Sequence, residues 1–261
     1  MKPVVLYLWL TFAASMSLFS QTIPAPAAMD SIPGITTPHY TNEKQPFKWT
    51  AFIIPGVFIA YGVSAIENHH LKGLNNEIKD EVYAEKPHRC FHLDNPLQIA
   101  PGITVLALNA FGVKGRHNVV DQAGMLLLSN IFLNVTVNTG KKISRQLRPD
   151  GSAYSSFPSG HTAEAFAGAE LLRLEYGSVS PWYAVAGYAA AATTGYLRIY
   201  NNRHWFSDVV AGAGVGMAST EFAYWLYPVL KNALFKNRLK NTVILPSYEN
   251  RTASLNLVRN L

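Results

Sequence analysis

The feature that most constrains this chain is a series of apolar stretches of helical length, at 49–66, 96–113, 119–139, 182–199 and 209–230. A run of roughly 18 largely uncharged residues can cross a hydrocarbon core as a helix. Within lipid each backbone N–H and C=O must be satisfied inside its own segment, so such runs become helices. Charged residues make up only 15% of the chain and aromatics 12%, and the mean hydropathy is +0.07. The lean towards a membrane is mild. The expected fold is all-α: a helical bundle, integral to a membrane, with about five to six apolar helices. A helix over 162–176 supplies the sixth.

The ends and connections divide the chain. Residues 1–20 carry Lys2, an apolar run and a small residue at Ser20, the pattern of a signal peptide or of an N-terminal anchor. Residues 21–48 hold Pro24, Pro26, Pro33, Pro38 and Pro46 and read as an extended linker. The helical domain is expected over 49–240, and 241–261 reads as a tail with one weak strand. Pro55-Gly56 interrupts 49–66, which is therefore a kinked span or a segment that enters the membrane without crossing. The stretch 67–94 is polar, carries an amphipathic helix over 71–82, and is expected at the surface. Basic residues in the 114–117 connection and at Lys231, Lys236, Arg238 and Lys240 place those ends in the cytoplasm.

The basic residues at 141–148 then reach the outer face, which for a bacterial inner membrane faces the periplasm. If the leader is cleaved, an even number of crossings must precede 141, so 49–66 does not cross fully. If the leader stays as an anchor, all three preceding apolar segments cross. The formal net charge of +6 comes from scattered residues with clusters only near 141–148 and 231–240, so no nucleic-acid partner is expected. Cys90 is the single cysteine. It alternates with His88 and His92, but no fourth ligand at zinc-like spacing accompanies them, and they read as solvated side chains. His69, His70 and His117 read as surface residues, Asp121 as a helix-opening residue near the interface, and Glu164 as an acid favoured by a helix dipole.

The helix over 162–176 is short for a bilayer and carries Glu164, Glu170 and Arg173. Glu170 and Arg173 are three apart and can pair. A helix with this much charge is better buried among others than facing lipid.

Just before it lies Phe157-Pro158-Ser159-Gly160-His161. A fixed proline, an accessible glycine backbone, a hydroxyl and an imidazole are the parts of an anion pocket at a helix start, where the dipole favours negative charge. Upstream are Lys141 and, after six residues, Arg148-Pro149; downstream are Arg198, His204 and Asp208. Three permanent cations and two imidazoles thus fall at the outer ends of separate helices. Transfer of a phosphoryl group needs such an array, because several oxygens and developing charge must be met by preorganised donors. Arg148 and Arg198 supply planar forks and Lys141 a point charge. If its segment is helical, Asp208 lies one turn from His204 and can hold one ring nitrogen, leaving the other to attack phosphorus. His161 can carry the proton for the leaving oxygen. No metal or other cofactor is called for, and no carboxylate cluster suited to Mg2+ is evident.

Lys-x6-Arg-Pro, Pro-Ser-Gly-His and Arg-x5-His-x3-Asp, in this order, resemble the three signature motifs of the type 2 phosphatidic acid phosphatase family. Its superfamily also includes bacterial acid phosphatases and vanadium haloperoxidases. The resemblance spans 141–208, and departs from the family where Leu197 stands in place of the usual Ser. It implies an all-helical bundle in which His204 forms a phosphohistidine and Asp208 orients it. It further implies that His161 serves as acid and then base, and that Lys141, Arg148, Ser159, Gly160 and Arg198 bind the phosphoryl group. The expected partners are the bilayer and a phosphorylated lipid: phosphatidic acid, phosphatidylglycerophosphate, undecaprenyl diphosphate or lipid A. A soluble periplasmic acid phosphatase is the alternative, followed by a vanadate-dependent haloperoxidase and an inactive membrane scaffold.

Overall fold

A computed structural model describes residues 46–85 and 89–235, together with the backbone of two strands, Thr242–Glu249 and Thr252–Arg259. The leader and nearly all of the Pro-rich linker lie outside the described residues.

A short 3-10 turn, Trp49–Phe52, leads into α1, Ile53–Ser64. The expected break at Pro55-Gly56 does not occur. Pro55 falls in the first turn of α1, where a missing N–H interrupts no helical bond, and the helix runs on through it. The bend comes later: α1 and the next helix meet at 93°. That helix, α2, spans His69–Lys79 and is capped by the Asn68 side chain, which accepts from the N–H groups of His70 and Leu71. It continues as a π turn over Asp80–Ala84.

The remaining helices are α3, Asp94–Ala110; α4, Val119–Ser144; α5, Gly160–Tyr176; α6, Pro181–Tyr200; and α7, Phe206–Phe235. Each contains or closely overlaps an apolar stretch expected from the sequence. The short helix α5 is the axis, packing on α3, α4, α6 and α7. Its small residues Ala163, Ala165, Ala167, Gly168 and Ala169 are fully or nearly fully buried and let those neighbours approach closely. Its expected Glu170–Arg173 pair forms, with Nη2 to Oε1 at 2.6 Å and Nε to Oε2 at 3.0 Å. Glu221 of α7 joins at 2.9 Å.

One described helix, Val119–Ser144, is long and apolar enough by itself to cross a bilayer, and the bent pair 49–64 and 69–84 passes the same test together. The expected count of five to six is therefore not reached on that test. Apolar side chains nevertheless point outward along several helices: Leu127 is 64% and Val135 63% exposed on α4, and Ile54, Val57, Ile103 and Val185 are exposed on α1, α3 and α6.

The C-terminal segment departs from the single strand expected. Thr242–Glu249 and Thr252–Arg259 pair antiparallel as a hairpin, with Thr242 opposite Arg259 and Glu249 opposite Thr252. A lone strand would leave its ladder groups unpaired, and a partner two residues on satisfies them.

Candidate active site

The up-and-down course of the helices brings the end of α4, the start of α5, the end of α6 and the start of α7 to one end of the bundle. These are the places that carry the three motifs. Ser159 occupies the N-cap position of α5 without a side-chain capping bond, and its N–H donates to the Asp208 carbonyl at 3.0 Å. A Cβ on Gly212 would stand 2.5 Å from the Ser159 carbonyl oxygen, so glycine is required for α7 to pass this close beneath the turn. The Ser159 hydroxyl pairs with Thr162 Oγ1 at 2.9 Å. An ideal Cβ on Gly160 would meet nothing nearer than Val137 Cγ1 at 3.7 Å, which leaves its backbone approachable.

His204 is not on a helix with Asp208, as helical spacing would have it. It lies in the 201–205 connection, where Asn202 takes a left-handed φ of 58° and the N–H groups of Arg203 and His204 both donate to the Arg198 carbonyl, at 3.0 and 3.3 Å. Asp208 is in the first turn of α7. Both side chains are buried, with His204 Nδ1 3.6 Å from Asp208 Oδ2. That is an electrostatic contact rather than a hydrogen bond. The carboxylate is oriented by other donors: Ser156 Oγ at 2.5 Å and the Trp205 N–H at 3.0 Å. Burial pushes the His204 imidazole down to about 4, against the opposing pull of Asp208. The ring is therefore neutral at physiological pH.

The cations surround this centre. Lys141 Nζ donates to the Ser155 carbonyl at 2.6 Å. Arg198 is buried and paired through Nη1 with Asp94 Oδ2. The charges of Arg198, Asp94 and Arg148 are all felt at His161, and those of Arg148, Asp208 and Arg198 at Lys141. The buried polar atoms here that lack a hydrogen-bond partner include Nε of Arg148, Nε of Arg198, Nδ1 of His204, Oδ1 of Asp208 and Oδ1 of Asp94. Two guanidinium N–H donors, a helix N-terminus and a neutral imidazole make a receptor for a tetrahedral oxyanion. An open depression of about 820 Å3 beside Lys141 is lined by Lys142, Arg145, Tyr154 and Ser155.

All eight residues expected at the site lie at this end of the bundle. Sequence reasoning missed Ser156, Asp94 and Asn95. Asp94 falls in the stretch expected at the surface, yet it is 1% exposed, because it enters as the partner of Arg198. Asn75 of that stretch is also buried, donating to Ser207 Oγ at 2.8 Å and accepting from the Ser207 N–H at 3.0 Å. His117 is likewise no free surface residue: its Nδ1 lies 2.7 Å from the buried Glu175 carboxylate. His69 and His70 are exposed, as expected, and Cys90 is an exposed free thiol.

The PAP2 superfamily model matches residues 119–231. Over 144 residues, 52% of the chain, the sequence is 50% identical to a protein of Porphyromonas gingivalis described as lipid A 1-phosphatase. The chain covers 31% of that relative's length, about a third of it. The fold is similar to that of a solved Bacillus subtilis protein, described as a transmembrane PAP2 type phosphatidylglycerolphosphate phosphatase. That likeness has a TM-score of 0.50 at 16% identity and covers 71% of this chain and 99% of that one. The matched segment runs from the first residue of α4 to Lys231 and takes in all three motifs at one end of the bundle, so that this part of the chain is similar to the PAP2 superfamily.

Proposed function

We propose that this protein is a metal-independent phosphatase that removes phosphate from a membrane lipid at the outer face of the bacterial inner membrane. The observation that carries this reading is the convergence of Lys141, Arg148, Arg198, Ser159 and Gly160 around two imidazoles, one of them backed by the buried Asp208. His204, its Nδ1 side facing Asp208, attacks phosphorus through Nε2. The bond to the leaving oxygen breaks as His161 delivers a proton to it. Water then attacks the phosphohistidine, giving its proton to His161, and inorganic phosphate departs. Burial keeps His204 unprotonated, so the attacking lone pair is available at neutral pH. The domain reading is a leader at 1–20, a linker at 21–48, the catalytic bundle at 49–240 and a tail at 241–261.

The outward-facing apolar side chains of α1, α3, α4 and α6 support a bilayer location, since soluble surfaces rarely carry so many together. A phosphoglycolipid of the lipid A class is the favoured substrate, on the strength of the description of the Porphyromonas gingivalis relative. Phosphatidic acid, phosphatidylglycerophosphate and undecaprenyl diphosphate share the reacting group. The test is phosphate release by the detergent-purified protein from these four lipids and from p-nitrophenyl phosphate, with and without EDTA. Release from a lipid that EDTA leaves intact is expected. EDTA-sensitive release, or turnover of the water-soluble ester alone by protein recovered without detergent, contradicts the reading.

A further inference from the structure

Asp94 and Asn95 open α3, outside all three motifs, and each reaches a different arm of the site. The buried Asp94 carboxylate accepts from Arg198 Nη1 across 104 residues of chain. Asn95 Oδ1 lies 3.0 Å from His161 Nε2. An amide oxygen can only accept, so Nε2 carries the hydrogen in this arrangement. The approach of the segment is itself fixed. The Phe91 N–H donates to Asn201 Oδ1 at 2.8 Å, and the Phe91 carbonyl accepts from Asn201 Nδ2 at 2.9 Å. Asn201 lies between Arg198 and His204, so the residues preceding α3 are stitched onto the third motif.

We infer that Asp94 and Asn95 form a positioning clamp that sets the phosphate-binding arm and the proton-carrying arm of the site together. The inference rests on the phosphatase reading. A guanidinium is a rigid fork, and pinning Nη1 fixes the plane of its other donors. Nε of Arg198, buried and without a partner, is then presented at a fixed angle to an incoming oxyanion. Burial above all disfavours a protonated His161 and pushes the ring down to about 4, and the charged groups facing it are Arg198, Asp94 and Arg148, with the neutral His204 beside them. The arginines oppose a protonated ring, and the Asn95 oxygen, like the Asp94 carboxylate, favours it. Asn95 therefore holds the ring in place and supports the form that donates to the leaving oxygen. Neither residue touches phosphorus.

The test compares wild type with Asp94→Asn, Asp94→Glu, Asn95→Ala and Asn95→Asp, all as full-length detergent-purified protein with thermal unfolding as the folding control. The readouts are kcat, KM, the pH profile of kcat and the Kd for inorganic phosphate by calorimetry. Asp94→Asn is expected to raise KM and the phosphate Kd about tenfold with kcat changed less than about threefold, and Asp94→Glu to recover most of that loss. Asn95→Ala is expected to lower kcat about tenfold at unchanged KM, with the basic limb of the profile moved to lower pH, whereas Asn95→Asp moves that limb to higher pH. Unchanged or tighter phosphate binding by folded Asp94→Asn overturns the clamp, as does a basic limb that ignores Asn95. If wild type releases phosphate from no ester, the phosphatase reading falls. The phosphate Kd of wild type against Asp94→Asn still decides the Asp94 half.

Discussion

The two ends of the bundle use the same kinds of side chain to opposite effect. At the end away from the motifs the charges are closed. Glu175 accepts from His117 Nδ1 at 2.7 Å, from the His117 N–H at 2.9 Å and from Gln122 Nε2 at 2.8 Å. Asp121 is held by Lys231 at 2.7 and 2.9 Å, by Tyr227 at 3.0 Å and by Asn118 at 2.9 Å. At the motif end, the half-buried Arg148 and the buried Arg198, His204 and Asp208 each keep a buried atom without a partner. A buried polar group costs free energy unless it is satisfied. The closed end is built to join α4, α5 and α7, and the open end keeps donors free for a ligand. Substitutions at the first should therefore cost stability, and at the second, activity.

The largest effect separates them most sharply. His204→Ala is expected to lower phosphate release on the order of 10^4-fold or more while the unfolding temperature hardly moves. Comparable activity in the folded variant breaks the comparison at the open end. Glu175→Ala is the counterpart. Removing one partner of a buried, hydrogen-bonded charge should destabilise the fold by about 3 kcal/mol, read by denaturation in detergent, with the kcat of the folded fraction within about threefold of wild type. A large loss of kcat at full stability would erase the distinction.

Ser156→Ala tests the middle ground. It leaves Asp208 one oriented donor, the Trp205 N–H, and should lower kcat about tenfold at a stability cost of about 1 kcal/mol. The pH profile should show an acid limb near 4, because His204 takes up a proton as the pH falls through that value and loses its attacking lone pair. Stability follows the same sign. The folded-state value lies below the unfolded one of about 6.5, so the contribution of neutral His204 is complete above that value. It is lost as pH falls towards 4. Leu197→Ser should change activity less than about threefold, because Leu197 is a buried core side chain here and no site contact depends on it.

What the sequence made legible follows from where the contacts come from. The motif residues sit at helix ends, and alternation of helices is enough to bring such ends together. The helix 160–176 announced its burial through Glu170 and Arg173, which lipid would not accept. Asp94, Asn95 and Ser156 gave no such signal, because their partners lie 104, 66 and 52 residues away and become neighbours only when the bundle closes. Pro55-Gly56 misled for a local reason: a proline interrupts a helix only beyond its first turn. His117 misled because its loop position shows nothing of the carboxylate that α5 brings beneath it.

The central claim is that one open site at one end of the bundle works through His204. Its most direct test is to mix the detergent-purified enzyme with a lipid substrate carrying labelled phosphate, quench within the first turnover and map the label by peptide. The account predicts an acid-labile, base-stable phosphoryl group on the peptide containing His204, absent from His204→Ala. Label on any other residue, or a quenched first turnover that releases labelled phosphate with none ever on the protein, contradicts it.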